Sequence, residues 1–383
     1  MTPATKVPGR IAMRKTDFGV VLLMLMPTVS WAQRFEESDL DREMERFFIT
    51  CTIKIKLGEV EKTNAKIGLA PFMIFERQYF ANPSTYTYVV DDDGGRHADF
   101  STIQDALDAS ADGNRIYVCP GRYEERIKIS SDVELVSLQG ADATIIDASS
   151  QDSGTVVRIT ASARVEGFTI TGASMEDVCY YGGGIKIVGQ TGQSHNYPVI
   201  KHNKILDNHA CIAGGIYLSG FARNDGDVVN NTAVIRNNVI AGNRAERSNA
   251  GGLMIDADRS VESQIYNNIF ASNSTLLGSG GIEVTGLIPS SDDIRNNILY
   301  DNWGTLSSIY TFAGGTVEYN NSWANNSNWS GGIGNINVPP NFVDSDDYRL
   351  QSTSACSDPG DPDPRFDDFD GSQNDMGAYG GAG

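Results

Sequence analysis

Lys186, Tyr217 and Glu283 each sit in the middle of an apolar-x-apolar triplet that follows a Gly-Gly doublet, and Asp256 stands two residues past the middle of another such triplet. A lysine, a tyrosine and two carboxylates on one face are groups that could act on a sugar. Lys186 would abstract the C5 proton of a uronate unit while a cation held by Asp256 and Glu283 neutralised the sugar carboxylate. Alternatively, the two carboxylates would serve as acid and base in glycoside hydrolysis. A solvated sheet face carries the same mixture of polar residues, so residue type alone leaves both readings open.

What would align these residues is a repeat. The doublets recur as Gly183-Gly184-Ile185-Lys-Ile187, Gly214-Gly215-Ile216-Tyr-Leu218, Gly251-Gly252-Leu253-Met-Ile255 and Gly280-Gly281-Ile282-Glu-Val284. A second pattern is interleaved with them: Ile200…Asn203-Lys-Ile205…Asn208, Ile235…Asn238-Val-Ile240…Asn243, Ile265…Asn268-Ile-Phe270…Asn273 and Ile294…Asn297-Ile-Leu299…Asn302. Val317…Asn320…Asn325 is a weaker copy and Val165-Glu-Gly-Phe168-Thr-Ile170 a degenerate one. The first asparagines of successive copies lie 35, 30, 29 and 23 residues apart, the spacing of a solenoid with inserted loops. Short strands with period-2 alternation would bury every second side chain, and only coil-on-coil stacking covers each apolar face. An asparagine at one turn position of each coil would then form a ladder that satisfies buried amides, and asparagine tolerates the left-handed conformation such turns require.

The expected architecture is therefore all-β: a right-handed parallel β-helix over residues 86–330, with an N-terminal helical cap and an irregular C-terminal cap over 331–383. Ser101-Thr-Ile-Gln104 predicts a capping box that opens a short helix with Ile103, Ala106 and Leu107 on one face. Strands are expected near 115–119, 127–129, 133–138, 144–147 and 156–159. Residues 34–85 fit the solenoid poorly and are expected to form an N-terminal extension, with a helix around Phe35–Phe48 and an edge strand at Thr52–Leu57.

The repeats, together with Tyr88-Val-Val-Asp91, the segment from Asp99 to Ala109 and the segment from Ile116 to Glu125, resemble the pectin lyase-like superfamily of right-handed parallel β-helices. The resemblance implies a substrate groove along the outside of the first strand of each coil, here the Gly-Gly strands. The signatures that carry catalysis in that superfamily's methylesterases, polygalacturonases and pectate lyases do not occur in this chain, so no active site is transferred. Pro340-Asn-Phe-Val-Asp344, Tyr348-Arg-Leu350 and the stretch from Asp370 to Tyr379 resemble the closing segment of exported bacterial β-helix proteins, with no activity attached.

Composition bounds the partners. The formal charge is −19 over 383 residues, which disfavours nucleic acid and anionic membranes. Arg14 and Lys15, the apolar run Val20–Met26 and Ser30-Trp31-Ala32 predict a signal peptide over residues 1–33. The mature protein is expected to be secreted, periplasmic or at the cell surface, with no membrane span once the signal is cleaved. Export permits disulfides among the 5 cysteines. Cys179 and Cys211 lie just before successive Gly-Gly strands, a spacing that predicts a bridge between neighbouring coils.

Further candidates lie outside the Gly-Gly row. Lys201, Arg236, Tyr266, Arg295 and Glu318 form a mostly basic stripe beside the asparagines. With Arg244 from a loop, Lys201, Arg236 and Arg295 could hold an acidic glycan, or simply alternate charge for solubility. Asp368, Asp370 and Asp375 offer oxygens for calcium, or cap turns. Two functions remain open: binding or processing of an acidic or neutral polysaccharide, as a uronate lyase or epimerase, or a non-catalytic adhesion or structural role.

Overall fold

The computed structural model describes residues 86–381 apart from 96–97, 175–178, 190–193, 221–229, 257–260, 287–290 and 313. The signal peptide, the N-terminal extension and Cys51 lie outside the described residues.

The described chain is a right-handed parallel β-helix. One coil shows the plan. Ile216–Ser219 belongs to the first sheet, Asn230–Arg236 to the second and Val239–Ala241 to the third. A short flanking strand, Arg244–Ser248, then leads back to Leu253–Asp256 in the first sheet. Repetition builds parallel sheets of 7, 10 and 8 strands, with a 3-stranded sheet at the corner after the third. The expected early strands appear at Arg115–Val118, Ile127–Ile129, Glu134–Ser137, Thr144–Asp147 and Val157–Ile159. Alternation packs Ile185, Ile187, Ile200, Ile205, Ile216 and their equivalents into one continuous interior.

Two asparagine ladders, not one, line the corners on either side of the third sheet. In the first, Asn203, Asn238, Asn268, Asn297, Asn320 and Asn335 pass amide bonds from coil to coil at 2.9–3.1 Å. In the second, Asn208, Asn243, Asn273, Asn302 and Asn325 do the same at 2.8–3.1 Å. Each rung also donates to a carbonyl of the preceding coil, as Asn238 does to Ile200 at 2.9 Å. The left-handed residue of the turn is the one before the ladder asparagine: His202, Asn237, Asn267, Asn296 and Tyr319 have φ of 55°, 54°, 51°, 58° and 55°. This leaves the ladder asparagine pointing inward and its predecessor outward.

The glycine doublets have a packing cause. A Cβ at Gly183, Gly215 or Gly252 would collide with the carbonyl oxygen of the matching glycine one coil further on. Only glycine lets these corners stack at coil spacing.

A helix, α1 (Ile103–Asp108), covers the N-terminal end with Ile103, Ala106 and Leu107 buried. Its N-cap is Thr102, one residue later than the expected capping box, and Thr102 Oγ1 accepts from Asp105 N. The first-turn amides of Ile103 and Gln104 donate to the Glu125 carboxylate at 2.8 and 2.9 Å, while the Gln104 side chain bonds Asp108 and the Lys128 amide instead of closing a capping box. At the other end, Trp329 packs on the core and Asn335 adds a rung to the first ladder.

The segment after Asn335 does more than close that end: it runs back along the flank. Cys356, Met376 and Ala378 cover the outward faces of Val239, Ile269 and Ile298 on the third sheet. The outward asparagines hold it in place. Asn296 Oδ1 accepts from Asp361 N at 2.8 Å, Asn267 donates to Asp375 O at 2.8 Å, and Asn237 donates to Gly380 O at 2.7 Å.

Candidate binding face on the first sheet

Strand register places one outward row across the first sheet: Lys128, Arg158, Lys186, Tyr217, Met254, Glu283 and Tyr310 are successive partners. Neighbouring coils lie roughly 4.8 Å apart, so the first three cations fall within about 10 Å along the axis. A second row runs beside it, with Ser219, Asp256 and Thr285 in register.

Lys186, Tyr217 and Asp256 come together. The Lys186 ammonium lies 5.3 Å from the Tyr181 ring centroid and 5.7 Å from that of Tyr217, a cation–π arrangement. The two rings are 5.2 Å apart. Tyr217 Oη donates to Asp256 Oδ2 at 3.0 Å. Burial, and next the neighbouring Asp256 charge, push the Tyr217 phenol well above its ordinary range. It therefore stays protonated at neutral pH and serves as a donor, not a base.

Glu283 stands apart from them. Its backbone is three coils from that of Lys186, about 14 Å at the spacing above. It is 4% exposed, and its carboxylate accepts from Ser279 N at 2.9 Å. Burial raises its pKa, and the Ser279 amide opposes this in part. The cause is local chain path. The segment entering each Gly-Gly strand folds over the outside of the sheet, so Glu283 lies under Gly278 and Ser279 while Met254 and Tyr217 pack with Val188, Ala213 and Ala250. A disulfide between Cys179 and Cys211, Cα atoms 5.0 Å apart, joins two of these entering segments. Tyr180 adds hydrogen bonds to the carbonyls of Ser174 and His209.

Lys128 and Arg158 belong to the row and were not among the expected residues. Lys128 is exposed, and the buried Nε of half-exposed Arg158 has no hydrogen-bond partner. Their signal is present in Ile127-Lys-Ile129 and Val157-Arg-Ile159, the same apolar-x-apolar triplet. These coils lack the glycine doublet that marks the later ones.

The basic stripe on the second sheet is in register from Lys201 to Glu318, but most of its charge is matched. Lys201 Nζ lies 3.4 Å from Glu166, which also pairs with Arg164. Arg295 contacts Asp293, Asp361 and Glu318 at 2.5, 2.5 and 3.0 Å. Arg244 sits on the flanking strand and pairs with Glu246 at 3.0 Å. The Arg236 guanidinium has no ion pair or hydrogen bond among the described residues.

The three C-terminal aspartates each serve backbone turns. Asp368 accepts from Asp375 N at 3.1 Å, Asp370 from Ser372 N at 3.0 Å, and Asp375 from Asp358 N at 2.8 Å. The group of carboxylates close enough together to share a cation, among the described residues, is instead Asp91, Asp92 and Asp93.

No family model and no curated protein matches the sequence. Among solved structures, the crystal structure of pectate lyase Pel9A aligns with a TM-score of 0.30 and 14% identity, over 77% of this chain and 96% of that one.

Proposed function

We propose that this is an exported β-helix protein that binds an acidic polysaccharide along the first sheet, without cleaving it. One observation carries the reading. On a chain of net charge −19, Lys128, Arg158 and Lys186 form a cationic row at coil spacing, and the row ends on the exposed Tyr181 ring, which the buried Tyr217 ring backs. A polymer with one carboxylate per sugar could meet successive cations, with a sugar face against an aromatic ring. Binding is favoured over catalysis because Glu283 is turned beneath its own loop and Tyr217 is held protonated. The Cys179–Cys211 disulfide supports an oxidising compartment outside the cytoplasm.

The test is affinity electrophoresis and calorimetry with polygalacturonate, alginate and hyaluronan, using dextran as the neutral control. Binding of at least one acidic polymer, weakened by salt and reduced about tenfold or more in Lys128→Gln/Arg158→Gln, is the expected result. Equal retardation by dextran, or an unaffected double variant, removes this reading. Unsaturated-uronate absorbance in the same mixtures, with and without calcium, tests the lyase alternative. Sustained absorbance growth that disappears in Lys186→Ala would restore catalysis.

A further inference from the structure

The flank of the second sheet holds a separate feature. Where the returning C-terminal segment meets the sheet, a cleft of about 300 Å³ opens, lined by Arg236, Gln264, Tyr266, Arg365, Phe366 and backbone around Gly381. Its cations differ from the rest of the stripe. Lys201 and Arg295 are matched by carboxylates, whereas the half-buried Arg236 guanidinium has no acid within bonding distance among the described residues. Burial lowers its pKa, and the more distant Glu166 charge opposes this only in part. Arg365 brings a second guanidinium, 4.8 Å from the Phe366 ring centroid and paired with Asp363 at the surface. The aromatic wall is rigid: Tyr266 and Phe366 meet edge to face at 5.1 Å, and Tyr266 Oη is tied to Asp293 at 2.6 Å.

We infer that this cleft binds a single carboxylate-bearing sugar unit. Arg236 would grip the carboxylate through its two-pronged guanidinium. The Tyr266–Phe366 wall would take the apolar face of the ring, and the Gln264 amide would meet hydroxyls. The volume is at the small end of ligand sites, suited to one sugar and not to a chain. The second sheet and the C-terminal segment build this cleft, so it is independent of the polymer row on the first sheet.

The probes are sodium D-galacturonate, neutral D-galactose and sodium acetate, titrated into the full-length protein by calorimetry and saturation-transfer NMR. Galacturonate is expected to bind at least about tenfold more tightly than either control, a difference of about 1.4 kcal/mol. Arg236→Gln should lower its affinity about tenfold or more, and the more exposed Arg365→Gln only a few-fold. Arg236→Lys keeps the charge but loses the fork; it should melt as the parent does and still lose affinity several-fold. Lys128→Gln/Arg158→Gln should lower galacturonate affinity far less than Arg236→Gln does. Failure of galacturonate to bind, equal binding of acetate, or full affinity in Arg236→Gln overturns the inference, whatever the polymer assays show.

Discussion

The Tyr217 hydroxyl reaches across a coil boundary to the Asp256 carboxylate, 3.0 Å away, while the same ring lies 5.7 Å from the Lys186 ammonium. The side chain therefore has two separable jobs. The oxygen ties two coils together, and the ring, itself buried, backs the exposed Tyr181 ring beside the Lys186 ammonium. Tyr217→Phe should lose roughly 1–2 kcal/mol of stability while polymer affinity stays within about twofold. Tyr217→Leu should in addition weaken polymer binding about fivefold. Chemical denaturation and calorimetry on the two variants separate these effects. Loss of binding in Tyr217→Phe at unchanged stability would assign the hydroxyl to the ligand instead.

The ladders predict a strong dependence on position. Asn268 is fully buried and donates to Ile235 O, Tyr266 O and Asn297 Oδ1 at 2.8, 3.0 and 3.1 Å. It also accepts from the amide and side chain of Asn238 at 3.1 and 3.0 Å. Asn268→Ala strands several of these groups in the interior, at about 3 kcal/mol or more. Asn335 ends the ladder near solvent, and Asn335→Ala should cost about 1 kcal/mol. Urea midpoints measured on both variants check the ordering, which fails if the two substitutions are equivalent.

Glu283 gives a pH dependence of known sign. Burial raises its pKa above the ordinary 4.5, so the folded state holds the proton more firmly than the unfolded chain does. The associated stability is complete below about pH 4.5 and is lost as the pH rises through the folded value. Glu283→Gln imitates the protonated form and retains an oxygen for the Ser279 amide. Thermal melts of variant and parent should coincide at pH 4, with the variant melting higher at pH 8. A variant that melts lower at pH 8 would mean that the charged carboxylate has a stabilising partner.

The repeat made the scaffold legible, because alternation and coil spacing are local properties repeated many times. The outward row Lys186–Tyr217–Met254–Glu283 follows from those rules, and its register is as counted from the Gly-Gly doublets. Which members of the row reach solvent was not legible. That depends on the segments entering each strand, such as Cys179–Gly182 and Gly278–Ser279, whose lengths and residues do not repeat. Lys128 and Arg158 escaped notice for a related reason: their coils keep the strand alternation but have no glycine doublet. The matched state of Lys201 and Arg295 depends on Glu166 and Asp361, which lie 35 and 66 residues away in the chain. The C-terminal segment carries no periodicity, so its resemblance to known closing segments implied an end cap and gave no sign of its path along the flank.

That path changes the statistical mechanics of the molecule. A bare solenoid behaves as a one-dimensional lattice in which each coil senses only its neighbours, and such lattices fray inward from their ends. Here the backbone around Asp361, Asp375 and Gly380 is pinned to the coils of Asn296, Asn267 and Asn237 in turn. The last coils therefore cannot peel away one by one without first releasing the whole strap. The C-terminal half is built to melt as one cooperative block, and it acquires that property only once the segment through Gly380 is in place.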